Sequence, residues 1–279
     1  MKRGQNCTEG AKKAIFRYNA GKSLQLFPPK HPYFKAPAEA KQVIEQVTQE
    51  AIREKRIRDM VEELPDNLTP DEKQAIAAHN LEIEEALKIT KGKPMTVEQA
   101  DQQHANPNYG KKYEYTINCQ TCAPAYVLRL MGFNVTAKAN TKNSLSEYLS
   151  RQRSFEAWKN TDGSPAVPTL TYDWMIAKGY KQMSKKRYAE YFEECCKETG
   201  VYILTIGWKD GGGHATVLQR FEDGTLKYIE PQVYSERSGA KRSIDELCEN
   251  GATKPYPKRG VLRVDNKLFD TKFASIFDK

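Results

Sequence analysis

Asn118-Cys119-Gln120-Thr121-Cys122-Ala123-Pro124-Ala125-Tyr126-Val127-Leu128-Arg129-Leu130-Met131-Gly132 is the stretch on which the reading of this chain turns. An apolar run of helical length opens at a Cys-x-x-Cys pair and closes at a glycine, the residue that most often follows a helix end. Proline is tolerated in the first turn of a helix, where its missing N–H bonds nothing, so Pro124 predicts a helix start between residues 120 and 123. Thr121 is then the cap and Cys122 the first helical residue. A sulfur there sits at the positive end of the peptide dipoles, which favour thiolate over thiol and make the cysteine a nucleophile. Cys119 is the alternative nucleophile, just outside the helix. Two buried structural thiols, or a local disulfide between them, are the other readings of the pair.

Downstream comes Gly211-Gly212-Gly213-His214-Ala215-Thr216-Val217-Leu218, a histidine at the entrance of a strand behind three glycines. Glycines let the backbone pass close to a substrate. One strand later, Tyr228-Ile229-Glu230-Pro231-Gln232 places a carboxylate where proline ends the ladder. These residues predict His214 as general base and Glu230 as the group that orients its ring, with Gln232 as a possible substitute for that orienting role. Asn118 and Gln120, flanking the cysteines, are candidate donors to an oxyanion, and Trp208 is a candidate wall of the site.

The rest of the chain predicts an α+β plan. Residues 1–37, ending in Pro28-Pro29-Lys30-His31-Pro32, read as an extended arm or linker. Apolar residues at three- and four-residue steps predict a helix from 38 to 64, and Thr69-Pro70-Asp71-Glu72 has the signature of a second helix start. The two predict a helical hairpin region over 38–92, followed by a hydrolase domain over 94–279. Within that domain the pattern predicts helices over 121–131, 144–158, 184–199 and 243–249, a short strand at Val135, and strands over 201–207, 214–220, 226–230 and 260–264.

Composition narrows the function classes. The chain has 279 residues, 39% apolar, with a net charge of +8 spread among 36 acids, so nucleic acid is not the expected partner. No apolar run reaches the roughly 20 residues of a membrane span, and the first residues lack a signal-peptide core, which predicts a soluble cytoplasmic protein with no membrane partner. Six irregularly spaced cysteines and four histidines do not supply two ligand pairs, so neither a metal nor any other cofactor is expected.

The segment Asn106-Pro107-Asn108-Tyr109-Gly110, then Tyr115-Thr116-Ile117-Asn118-Cys119-Gln120-Thr121-Cys122, the apolar helix and Gly132-Phe133-Asn134-Val135, resembles the papain-fold toxin domain of glutamine-deamidase type. Gly213-His214-Ala215 and Glu230-Pro231-Gln232 are similar to that family's His and Asp-Pro-Gln motifs, with Glu230 one methylene longer than the usual Asp. The match covers about residues 94 to 235. Such domains occur at the C-termini of bacterial polymorphic toxins and of MuF-type phage head-morphogenesis, or minor capsid, proteins. The resemblance implies a papain-like fold and a Cys-His-Glu triad that cleaves amides through a thioester, as a protein glutamine deamidase or a cysteine protease. It implies a toxin or effector acting on a protein substrate, with an immunity protein or phage head and portal proteins as partners. It also implies a bacterial cytoplasmic, virion-associated or delivered location. The competing expectation is a non-catalytic virion or assembly protein that keeps the fold.

Overall fold

The computed structural model describes residues 38–233 and 243–279. The predicted arm over 1–37 therefore lies outside the described residues. By contacts the chain divides between Arg53 and Glu54, whereas the sequence pattern puts the division at 92–94.

Helix α1 spans Ala38–Glu62, as its apolar periodicity predicts. Within its part before residue 54, Val43, Ile44 and Ile52 are exposed. Helix α2, Pro70–Leu87, starts as expected. The Thr69 hydroxyl accepts from Glu72 N–H at 3.3 Å, the Glu72 carboxylate accepts from Thr69 N–H at 2.9 Å, and Pro70 occupies the first turn. Such a cap contributes on the order of 1 kcal/mol. Ile57 and Met60 pack on Ala77, and the Arg56 guanidinium reaches both oxygens of Glu84 at 2.6 and 2.7 Å. The hairpin of α1 and α2 is thus real from residue 54 onward. It is not separate from the region after it, because Ile83 and Leu87 belong to the same apolar cluster as Ala125, Leu128 and Phe133. A stripe that continuous is why the boundary near residue 93 does not divide the structure.

The remainder is α+β with antiparallel pairing. Helices α3, Cys119–Leu130, α4, Leu145–Ser150, α5, Thr171–Ala177, α6, Lys185–Cys195, and α7, Ile244–Asn250, surround a five-stranded sheet. Its strands are β1, Thr169–Leu170, β2, Gly200–Gly207, β3, Gly213–Arg220, β4, Leu226–Ile229, and β5, Gly260–Arg263, in the spatial order β1-β5-β2-β3-β4. Every residue of β2 is buried. Its period-two alternation explains why: Val201 and Ile203 enter the cluster that holds α3, while Tyr202, Leu204 and Ile206 enter a second cluster with Tyr188, Tyr191 and Phe192 of α6. Trp174 packs edge-on to Tyr191 within that second cluster.

Two expectations shift in detail. The helix predicted over 144–158 is broken into α4 and a 3₁₀ turn, Ser154–Ala157, with Gln152 between them at a left-handed φ of 63°. The strand expected at Val135 is displaced to Thr136–Ala137, which pairs with Phe277–Asp278. No described helix is long and apolar enough to cross a membrane.

Candidate active site

The site is built where the start of α3 meets the start of β3 and the end of β4. Helix α3 begins at Cys119, not Cys122, with Asn118 as its cap residue at φ −103° and ψ 25°. The Asn118 carbonyl accepts from Thr121 N–H at 2.9 Å and Cys122 N–H at 3.1 Å. Thr121 is therefore inside the helix, its hydroxyl spent on the Asn118 and Lys138 carbonyls at 2.8 and 3.1 Å. Pro124 stands in the second turn, where it has no N–H to return to the Gln120 carbonyl. The expectation that proline marks the first turn thus placed the helix start too late, and every assignment that depended on it moves toward the N-terminus.

The cysteine that meets the histidine is Cys119. The His214 ring and the Ala215 N–H act on its thiol and lower its pKa, and its Sγ donates to Gln120 Oε1 at 3.6 Å. Cys122 is fully buried in the cluster beneath the helix, beside Ala123, Ala125 and Tyr126. The sequence assignment of Cys122 to the site is corrected on this geometry. One helical turn carries a side chain from the cleft into the core.

β2 and β3 form a hairpin whose register pairs Ile206 with His214 and Gly207 with Gly213. Its loop turns at Gly211 and Gly212, with φ of 94° and 80°, a backbone that residues with a side chain rarely adopt. The β3–β4 ladder stops at Val217 and Ile229, so Ala215 lies beyond the paired stretch and its N–H is available to the sulfur. Trp208, at the other side of the hairpin, stacks on His214 with ring centroids 6.0 Å apart and planes at 27°. It backs the imidazole but is not among the residues that line the cleft.

His214 Nε2 is 2.7 Å from Glu230 Oε2, and both residues are buried. With that nitrogen engaged, Nδ1 is the one left to face the sulfur. Glu230 is held in turn: Tyr228 hydroxyl donates to the same oxygen, and Gln232 N–H donates to Oε1 at 3.1 Å. Gln232 does not take the orienting role. Its side-chain amide donates to Asn118 Oδ1 at 3.3 Å.

Asn118 is likewise committed to structure. Its amide donates to Asn106 Oδ1 at 3.2 Å and to the Lys138 carbonyl at 3.0 Å, and Asn106 donates back to Asn118 Oδ1 at 3.3 Å and to the Gln232 carbonyl at 3.0 Å. Both of its donors are spent, so its expected role at an oxyanion is corrected to a scaffold role. Gln120 keeps a place on the cleft; its amide donates to the Ser146 carbonyl at 3.0 Å. Helix starts leave their first N–H groups without intrahelical acceptors, and those of Cys119 and Gln120 stand at this one.

Electrostatics follow from these contacts. Burial works against a charged His214, but the Glu230 carboxylate and the hydrogen bonds to Cys119 and Glu230 outweigh it and raise its pKa to about 10. Burial also works against a Cys119 thiolate, and here the His214 hydrogen bond and charge and the Ala215 N–H prevail, so the thiol falls below its ordinary value. For Cys122 burial dominates and the charges of Cys119 and Glu230 add to it, pushing the thiol well up. Glu230, although buried, is held below the usual carboxylate range by His214, Tyr228 and Gln232. Cys119, His214 and Glu230 thus bias one another's protonation in the directions that favour a thiolate beside an imidazolium.

The pair opens on a cleft of about 240 Å³ that also reaches Thr116, Ser150, Gln232 and Arg259. No family model, curated protein or solved structure matches this chain. Its chemistry is therefore argued from the site itself. Among the described residues no cluster of His, Cys, Asp and Glu has the arrangement of a metal centre. Sequence reasoning named the histidine and the acid that the structure brings together. It gave no role to Asn106, Tyr228 or Arg259, although Asn106 and Tyr228 lie in segments it singled out.

Proposed function

We propose that this cleft is the active site of a cysteine-dependent amide hydrolase with a papain-like arrangement, in which Cys119 is the nucleophile, His214 the acid and base, and Glu230 the orienting group. The observation that carries the reading is that Cys119, at the start of a buried helix, and His214, hydrogen-bonded to Glu230 at 2.7 Å, line one cleft. The Cys119 thiolate attacks the carbonyl of a carboxamide or peptide bond, forming a carbon–sulfur bond while the carbonyl oxygen takes up negative charge. Backbone N–H groups at the helix start donate to that oxygen. His214 gives its proton to the departing nitrogen as the carbon–nitrogen bond breaks, leaving a thioester. A water then gives its proton to His214 and attacks the thioester; the carboxylic acid leaves and the cysteine–histidine pair is restored.

A glutamine side chain releases ammonia by this route and a peptide bond releases an amine. The likeness of the Asn118-Cys119-Gln120-Thr121-Cys122 and Gly213-His214-Ala215 elements to papain-fold toxin domains favours protein glutamine deamidation in a toxin or effector setting. Expression in a bacterial host of the wild type beside Cys119→Ala and His214→Ala tests it, with mass spectrometry for glutamine-to-glutamate conversion and for new peptide termini. The wild type alone is expected to slow growth and to leave modified or cleaved proteins. Identical growth and unaltered host proteins in all three strains would sink the proposal.

A further inference from the structure

Among the described residues, Arg259 is the one cationic side chain lining the cleft besides His214, and the reaction above gives it no part. Its backbone is fixed on both sides of the strand start: its N–H donates to the Tyr256 carbonyl at 3.3 Å, and its carbonyl accepts from Thr171 N–H at 2.9 Å. From there the side chain passes over Gly213. A Cβ at that position would stand 2.3 Å from an Arg259 terminal nitrogen and 2.7 Å from Cζ, so the glycine before the histidine is what leaves the guanidinium its path.

Guanidinium groups that are largely withdrawn from water are normally matched by a carboxylate. Elsewhere in the described residues such a group finds acceptors: Arg220 meets Glu193, Arg263 meets Asp265 and Glu198, and Arg129 donates to the Gln99 and Val135 carbonyls and to Asn134 Oδ1. Arg259 departs from the pattern. It forms no ion pair among the described residues, and its Nε is buried with no acceptor there. Burial disfavours its charge, and the acidic groups that act on it are the Cys119 sulfur and the Tyr256 hydroxyl. The His214 ring and the Ala215 N–H already act on the sulfur, which leaves the planar fork of donors turned to whatever enters the cleft.

We propose that Arg259 is a specificity-determining residue that binds a carboxylate of the substrate beside the scissile amide, so that the cleft selects amides carrying an adjacent acidic group. This rests on the amide-hydrolase reading and deepens it by naming the substrate class. A carboxylate meets an arginine fork through two parallel hydrogen bonds, and a neutral or basic neighbour would leave the guanidinium buried and unpaired. The binding is non-covalent and alters no step of the chemistry.

The test compares alkylation of Cys119 in the full chain by iodoacetate, which carries a carboxylate, and iodoacetamide, its neutral counterpart, located by peptide mass spectrometry. The readout is the ratio of the two rates, in wild type, Arg259→Gln and Arg259→Lys. Because His214 also attracts anions in all three proteins, the change between them isolates Arg259. Relative to wild type the ratio is expected to fall by about fivefold or more in Arg259→Gln, the size of one solvent-screened charge pair, and by less in Arg259→Lys, which keeps the charge but loses the fork. Since the guanidinium makes no hydrogen bond among the described residues, thermal melting of the variants should match wild type, and a loss of the ratio with unchanged melting supports the proposal. Rapid labelling of Cys119 with one ratio shared by all three proteins overturns it and leaves the hydrolase standing. Failure of either reagent to single out Cys119 overturns both.

Discussion

Cys119 and Cys122 lie one helical turn apart on α3, and the protein makes opposite things of them. At the tip of the helix the His214 ring and a strand N–H act on the sulfur, which falls below its ordinary pKa. One turn inward, among Ala123, Ala125 and Tyr126, the same group meets no compensating charge, and burial pushes it well up. Both have the helix dipole behind them. Cysteine reactivity is thus set here less by the helix than by what the neighbouring sheet brings to its first residue.

The contrast breaks most decisively by deleting each sulfur in turn. Cys119→Ala should lower amide hydrolysis by on the order of 10⁴-fold or more without lowering the melting temperature, whereas Cys122→Ala should retain the rate. A stopped assay from Cys122→Ala with a working Cys119→Ala protein would reverse the assignment. Next in size is the orienting carboxylate. Glu230→Gln preserves shape but removes the charge that keeps His214 protonated, and kcat should fall by about 10²- to 10⁴-fold with KM little changed. Equal activity would show that Tyr228 and Gln232 position the ring unaided.

Smaller again is the effect expected in the core. Cys122→Ser puts a hydroxyl where the described neighbours are apolar, and chemical denaturation should reveal a loss of about 1–3 kcal/mol with the catalytic rate intact. The mildest response is to pH. The folded His214 pKa, about 10, lies above its ordinary value of 6.5, so its charge stabilises the fold fully below 6.5, and that contribution is lost as pH rises through 10. Activity needs the same proton for the leaving nitrogen. The rate should decline as pH rises through about 10, with the loss of this proton still small at pH 9, where only about a tenth of such a group has lost it. A decline centred near 6.5 instead would mean that Glu230 does not act on the ring.

Much of this was legible in the residue order, for physical reasons that also explain the failures. Strand β2 and the glycine-led β3 follow from runs of β-branched and apolar residues bounded by glycines, and the Thr69–Glu72 cap from its fixed three-residue spacing. The choice between the cysteines was not legible. Helix α3 is buried from Gln120 to Arg129, so it has no polar face whose period could fix its phase, and the proline that served in its place sits a turn deeper than the rule allows. Asn118 looked like a catalytic donor because local sequence does not reveal that Asn106 and Gln232 claim its amide from either side. Arg259 was invisible for a simpler reason: a single arginine before a glycine has no pattern, and its meaning comes from Gly213, a residue distant in the chain, leaving room for it.

Both groups that activate the sulfur, the His214 ring and the Ala215 N–H, belong to consecutive residues of β3. A ribosome releases Cys119 well before it makes either of them. Until the hairpin of β2 and β3 closes, the nascent chain carries an ordinary thiol. The lowered thiol pKa arrives only with the tertiary structure, and the alkylation rate of this one cysteine therefore times the closure of that hairpin beside helix α3.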